Sequence, residues 1–157
     1  MRLRFAIFTL ITTIALSAFG QKQKAIDFKA LTPNLVVENV NRTAEYYQKT
    51  LGFEVILTVP ETGTFDFAML KLDNVTIMFQ SMKSFVEALP EYKDQKIGGT
   101  MFLYFDVENL DEIYNKAKIA NAEIVVDINI TFYGTREFTM KDSDGYLLVF
   151  AEEQQTE

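Results

Sequence analysis

The 157-residue chain contains no cysteine, no histidine and few glycines. Without cysteine there is no disulfide, no thiol nucleophile and no lipid attachment through a cysteine behind a leader segment. Without histidine the common Ser-His-Asp and Cys-His constellations are excluded, and a frequent zinc ligand is missing. The glycines fall at turn-like positions rather than in a phosphate-cradling loop. Basic residues are in the minority, 15 against 22 acidic, which leaves a net charge of −7. An acidic chain is a poor match for the phosphate backbone of nucleic acid. The charge serves solubility or the attraction of a cationic ligand, and composition leaves both readings open.

What is present is an ordinary globular balance, 48% apolar and 24% charged, at a length that suits one domain or one domain built from two halves. The aromatic content, 14 Phe and 7 Tyr, either fills a core or lines an aromatic cavity. The first twenty residues differ from the rest. Arg2 and Arg4 precede an almost wholly apolar run from Phe5 to Leu16, and Ala18-Phe19-Gly20 places small residues before Gln21. This is the layout of a cleavable signal peptide and of an exported, secreted or periplasmic protein. The alternative is a membrane anchor, for which the apolar run is shorter than the roughly 20 residues a span requires. Cleavage removes only basic residues and leaves 13 against 22 acidic, a net charge of −9.

Residues 21–30 read as a polar arm. Alternation over Leu31 to Val37 predicts a strand, and Val40, Ala44, Tyr47 and Leu51 predict a helix capped by Asn39 or Asn41 and stopped at Gly52. Strands follow over Phe53 to Val59, Thr64 to Leu72 and Val75 to Gln80, with Asp73-Asn74 as a turn. A short helix over Met82 to Leu89 and a polar connection over 91–99 lead to a second round. It comprises a strand over Thr100 to Val107, a helix through Leu110, Ile113, Tyr114 and Ala117 capped by Asn109, and strands over Ala122 to Ile128, Phe132 to Lys141 and Tyr146 to Ala151. Asp144-Gly145 marks the last turn.

The two rounds are an internal repeat. Val37-Glu38-Asn39-Val40 matches Val107-Glu108-Asn109-Leu110 at an offset of 70, where a strand hands over to a helix. Phe67, Met69 and Asp73 match Phe138, Met140 and Asp144 at an offset of 71. One helix covers only one face of a four-stranded sheet, so each unit leaves its other face open. The expected fold is α+β: two tandem βαβββ modules, about 31–81 and 99–152, forming an open curled sheet or half-barrel with a central cavity. A polar tail over 153–157 ends the chain.

This arrangement resembles the vicinal oxygen chelate superfamily, which includes glyoxalase I, bleomycin-resistance proteins and extradiol dioxygenases. The likeness lies in Leu31-Thr32-Pro33-Asn34-Leu35-Val36-Val37-Glu38-Asn39, Tyr46-Tyr47 and Leu51-Gly52-Phe53-Glu54. In the second half it lies in Tyr133-Gly134-Thr135-Arg136-Glu137-Phe138 and Asp142-Ser143-Asp144-Gly145-Tyr146, similar to the family's Gly-x-Arg-Glu-Phe and Asp-Pro-Asp-Gly. The resemblance implies dimers, and in the family's enzymes four His, Glu or Gln ligands for a metal. The matching positions here are Thr32, Met78, Phe102 and Val149, so no metal and no other cofactor is expected.

If the faces left uncovered line the hollow, its mostly apolar wall includes Met78, Phe102 and Val149, with Asn34, Gln80, Tyr104 and Asp106 as polar fixtures. Phe102 and Tyr104 suit a planar or cationic ligand; the same side chains also serve simply to fill space. Arg136 either meets a ligand carboxylate or pairs with a nearby acid, and Tyr133 closes the mouth of the hollow or covers an edge. The expected function is a metal-free, exported, small-molecule-binding protein for an aromatic or cationic compound, with no catalytic residues. The alternatives are a lyase or oxygenase of the same group and an interaction module without a ligand.

Overall fold

The computed structural model describes residues 28–99 and 101–154. The expected signal peptide over residues 1–20 and most of the arm lie outside the described residues. The elements are β1 Asn34–Val37, α1 Val40–Leu51, β2 Glu54–Val59, β3 Phe67–Leu72, β4 Val75–Ser81 and α2 Met82–Ala88. A single 3-10 turn, Pro90–Tyr92, precedes β5 Phe102–Asp106, α3 Leu110–Ile119, β6 Glu123–Ile130, β7 Thr135–Lys141 and β8 Leu147–Glu153. Among the described residues no helix is long and apolar enough to cross a membrane.

The strands form two four-stranded sheets, ordered β1-β4-β3-β2 and β5-β8-β7-β6. In each, the opening strand runs parallel to the closing one and the remaining pairs are antiparallel. This is the tandem βαβββ architecture, and the sheets do not close on each other. Each helix covers one face of its own sheet, and α1 also packs against α3.

Local sequence explains most of the elements. In α1, Val40, Ala44 and Tyr47 recur on one face and are buried against β3 and β4. The Asn39 side chain accepts from the Arg42 N–H at 3.0 Å, and Gly52 ends the helix at φ 87°. Asn41 does not cap: it accepts from Phe65 N–H and donates to the Gly63 carbonyl, pinning the loop before β3. That loop extends through Asp66, so β3 starts three residues later than the alternation predicts. Nor does Asn109 cap α3 with its side chain. It adopts φ 62°, and Glu152 on β8 accepts from the Leu110 N–H instead.

The helix-facing residues form one continuous core. In the first module Tyr47 sits against Phe53 and Phe79, with centroids 5.8 and 4.8 Å away. In the second, Phe105, Phe150 and Phe138 stack at 5.1 and 4.9 Å, and Tyr114 meets Phe138 edge-on. Full burial of one such aromatic ring stabilises the fold by about 1.5–3 kcal/mol.

The repeat changes register within each half. Ala68 pairs with Phe79 in the first sheet, and Phe138 pairs with Phe150 in the second. The offset is therefore 70 up to the last turn and 71 beyond it, because the second turn is one residue longer. The sequence match of Phe67 and Met69 to Phe138 and Met140 is thus one residue out of step. Phe138 and Met140 are fully buried, whereas Phe67 and Met69 are half-buried and lie on the opposite face.

Candidate functional site

Strand alternation decides which side chains are available on the faces the helices leave open. In the first sheet Leu35, Val37, Ile77 and Phe79 are buried toward the helix, so Asn34, Met78 and Gln80 point the other way. Asn34 Nδ2 donates to Gln80 Oε1 at 3.0 Å, and Gln80 Nε2 donates to Ser84 Oγ at 3.1 Å. Met78 lies beside this chain, opposite Asn34 in the parallel ladder.

In the second sheet Phe102, Tyr104 and Asp106 share the open face. Phe102 is 58% exposed and Tyr104 52%. Val149 pairs with Tyr104 and is 7% exposed, so it is the floor under its neighbours rather than a contact surface. Glu137 on β7 projects onto the same face, in the row of Ala151 and Asp106. Its Oε1 accepts from the Tyr104 hydroxyl at 2.7 Å and from the Tyr133 hydroxyl at 2.8 Å. The bond to Glu137 pushes the Tyr104 phenol up to about 12 and raises that of Tyr133. Both phenols therefore stay protonated at neutral pH, one carboxylate oxygen receiving two donors.

Arg136 takes no part in this cluster. It alternates with Glu137 and shares the helix side with buried Phe138. Its guanidinium donates to both Asp111 oxygens at 3.0 Å and to Glu152 Oε2 at 2.7 Å. The acid-pairing alternative is the one observed, and the group that reaches the open face is its neighbour Glu137. The burial of Phe138 was the available signal, since one buried strand position sets the direction of the next two.

A cleft of about 1150 Å³ lies between the β3–β4 turn and the start of α3. Tyr104 and Asp106 line it, whereas Asn34, Met78, Gln80, Phe102, Tyr133, Arg136 and Val149 do not. Tyr104 therefore borders both the open sheet face and this cleft.

Three comparisons bear on this architecture. The sequence model of the Glyoxalase/Bleomycin resistance protein/Dioxygenase superfamily matches residues 29–150. The chain belongs to this superfamily. Solved structures agree on the fold. TioX from a Micromonospora species superposes with a TM-score of 0.65 at 21% identity, covering 81% of this chain and all of that one. A glyoxalase/bleomycin resistance protein/dioxygenase family enzyme from Burkholderia phytofirmans gives 0.67 at 17% identity, covering 78% and 97%. A superfamily member from Sphaerobacter thermophilus gives 0.66 at 17%, covering 82% and 98%. No curated protein sequence matches the chain.

Members of the glyoxalase superfamily with enzymatic activity hold a metal on the strands that open and close each module. The residues present here do not fit one. Thr32, Met78, Phe102 and Val149 offer a hydroxyl, a thioether, a phenyl ring and an isopropyl group, none a usual ligand for a divalent ion. Among the described residues no three Asp or Glu side chains are grouped closely enough to share an ion.

Proposed function

We propose that this glyoxalase-superfamily chain is an exported, metal-free binding protein that holds an aromatic or cationic small molecule against the open face of its second sheet. The observation that carries the reading is Glu137 between the hydroxyls of Tyr104 and Tyr133, on the face that also carries an exposed Phe102. The carboxylate supplies a fixed negative charge, and the two phenols hold it in place. The rings of Phe102 and Tyr104 supply apolar surface and negative π-faces that suit a flat or positively charged partner.

The proposal includes pairing of two copies. Leu57, Val59, Phe102, Tyr104 and Val126 are about half exposed, and a second copy laid across these faces excludes water from them and encloses the ligand. Export is supported by the basic start, apolar run and small residues before Gln21.

A thermal-shift screen with planar and quaternary-ammonium compounds tests the binding reading. Ligands are expected to raise the melting temperature of the protein and to lose that effect in Glu137→Gln. A panel that leaves both proteins unshifted sinks the proposal, and elemental analysis finding one tightly held metal per chain sinks its metal-free part.

A further inference from the structure

The open faces of the two sheets are equivalent in the repeat but differ in charge. At the offset of 70 that aligns Ala68 with Phe138, Asn34 corresponds to Tyr104, Gly63 to Tyr133 and Phe67 to Glu137. In the first sheet the polar groups of this face satisfy one another as neutral partners, Asn34 with Gln80 and Gln80 with Ser84. In the second sheet a carboxylate stands at the position of the Phe67 ring.

Glu137 is half-buried, and among the described residues it has no cationic partner. Lys141 points to the same face from further along β7, but Glu123 holds its ammonium at 2.6 Å. Asp106 lies in the row of Glu137 across Ala151, about 10 Å away by strand spacing, and among the described residues makes no ion pair either. Partial burial of a carboxylate without a counter-ion destabilises a fold, and local costs of this kind concentrate at functional positions.

The hydrogen bonds separate the two oxygens of Glu137. Oε1 accepts from both phenols, Tyr104 at 2.7 Å and Tyr133 at 2.8 Å, whereas among the described residues no donor reaches Oε2. Tyr133 is fixed by the hairpin that carries it. There Thr131 N–H donates to the Thr135 carbonyl at 2.9 Å, and Thr135 N–H donates to Thr131 Oγ1 at 3.1 Å. Two donors use the acceptor capacity of Oε1, while Oε2 retains its own.

We infer that the sheet-face site selects an organic cation that carries N–H donors, a protonated amine or an amidinium, and takes one per chain. This rests on the binding reading above and narrows its ligand class. The N–H donates to Glu137 Oε2, and the apolar body of the ligand lies against the Tyr104 ring. A quaternary ammonium meets the charge and the ring but has nothing to donate. The first sheet, neutral at the same positions, takes no part.

The test compares benzylamine with benzyltrimethylammonium, which share ring and charge and differ in N–H donors, by calorimetry and backbone amide shifts at pH 7. Expected is saturable binding of benzylamine at one site per chain, with shifts at residues 104, 133–137 and 149–151. Benzyltrimethylammonium is expected to bind about tenfold more weakly, through loss of one charge-assisted hydrogen bond. The preference disappears in Glu137→Gln. Asp106→Asn, at an exposed position, weakens both compounds alike and leaves their ratio unchanged. Equal affinity of the two compounds for the unsubstituted protein overturns the inference and leaves the binding reading standing. So does a preference that survives Glu137→Gln, one that is lost in Asp106→Asn, or a stoichiometry of two per chain. Failure of both compounds and of the whole thermal-shift panel to bind overturns the reading itself, and the inference with it.

Discussion

The carboxylate of Asp144 is fully buried and accepts a hydrogen bond from the Thr43 hydroxyl, 101 residues earlier in the chain. Arg42 and the backbone N–H of Glu38 bind the same carboxylate, so one side chain of the second module ties down the start of the first module's helix. Asp144→Ala leaves several donors without their acceptor and is expected to cost about 2–4 kcal/mol. Thr43→Val removes one donor and is expected to cost about 1–2 kcal/mol. Urea unfolding of both single variants and the double variant gives the coupling, which is expected to be at least about 1 kcal/mol. Strict additivity would show that the lock does not hold the modules together.

The pair Tyr104 and Glu137 has an alkaline signature. The folded-state pKa of Tyr104, about 12, lies above the ordinary phenol value of 10. The folded protein therefore keeps the proton longer than the unfolded chain, and this contribution to stability is lost as pH rises from 10 through about 12. Glu137→Gln removes the charged acceptor. In an ultraviolet titration of phenolate formation Tyr104 and Tyr133 are both expected to move down in that variant. An unmoved titration curve would show that the bond is absent in solution.

Arg136 is expected to matter for folding and not for ligand. It joins α3 to β8 through Asp111 and Glu152, and Glu152 also takes the first free N–H of α3. Arg136→Met keeps the apolar stem and removes the charge, with an expected loss of about 1–2 kcal/mol in denaturant unfolding. Affinity for a ligand found in the thermal-shift screen stays as it was. A large loss of affinity at full stability would place the guanidinium in the binding site after all.

Tyr47 donates to Asp142 at 2.9 Å in the core between the modules, and the N–H groups of Asp144 and Tyr146 bind the other carboxylate oxygen. Burial raises the Asp142 pKa, and these three bonds hold it down. Tyr47→Phe removes one of them, so ionised Asp142 becomes harder to keep folded. At pH 7 the expected cost is about 1–2 kcal/mol. Because the folded pKa is raised, the stability tied to the neutral form is present below the unfolded value and lost as pH rises through the folded one. The cost of Tyr47→Phe should therefore shrink on acidification below the Asp142 titration. A deficit that stays constant with pH would assign it to packing alone.

The repeat was legible because strand and helix periodicities are local. Val37-Glu38-Asn39-Val40 and Val107-Glu108-Asn109-Leu110 mark the same handover twice, and the caps and turn residues around them need no knowledge of the rest of the chain. The candidate site was less legible. Asn34, Gln80 and Tyr104 fall on open faces as alternation requires, but choosing Arg136 over Glu137 depended on which face Phe138 occupies. Asn109 has the residue type of a cap, yet Glu152, 43 residues away, supplies the oxygen.

The sequence by itself determined the two βαβββ modules, their order and the absence of the usual metal ligands, because each of these rests on residue type and short-range spacing. Tertiary structure alone decided the rest. It set the register shift across the longer second turn, sent Arg136 and Glu137 to opposite sides, and seated the Asp144 carboxylate on the start of α1. The physical reason is that hydrogen bonds such as Thr43 to Asp144 join groups far apart in the chain. Whether such a bond forms depends on three-dimensional approach, which no local pattern encodes.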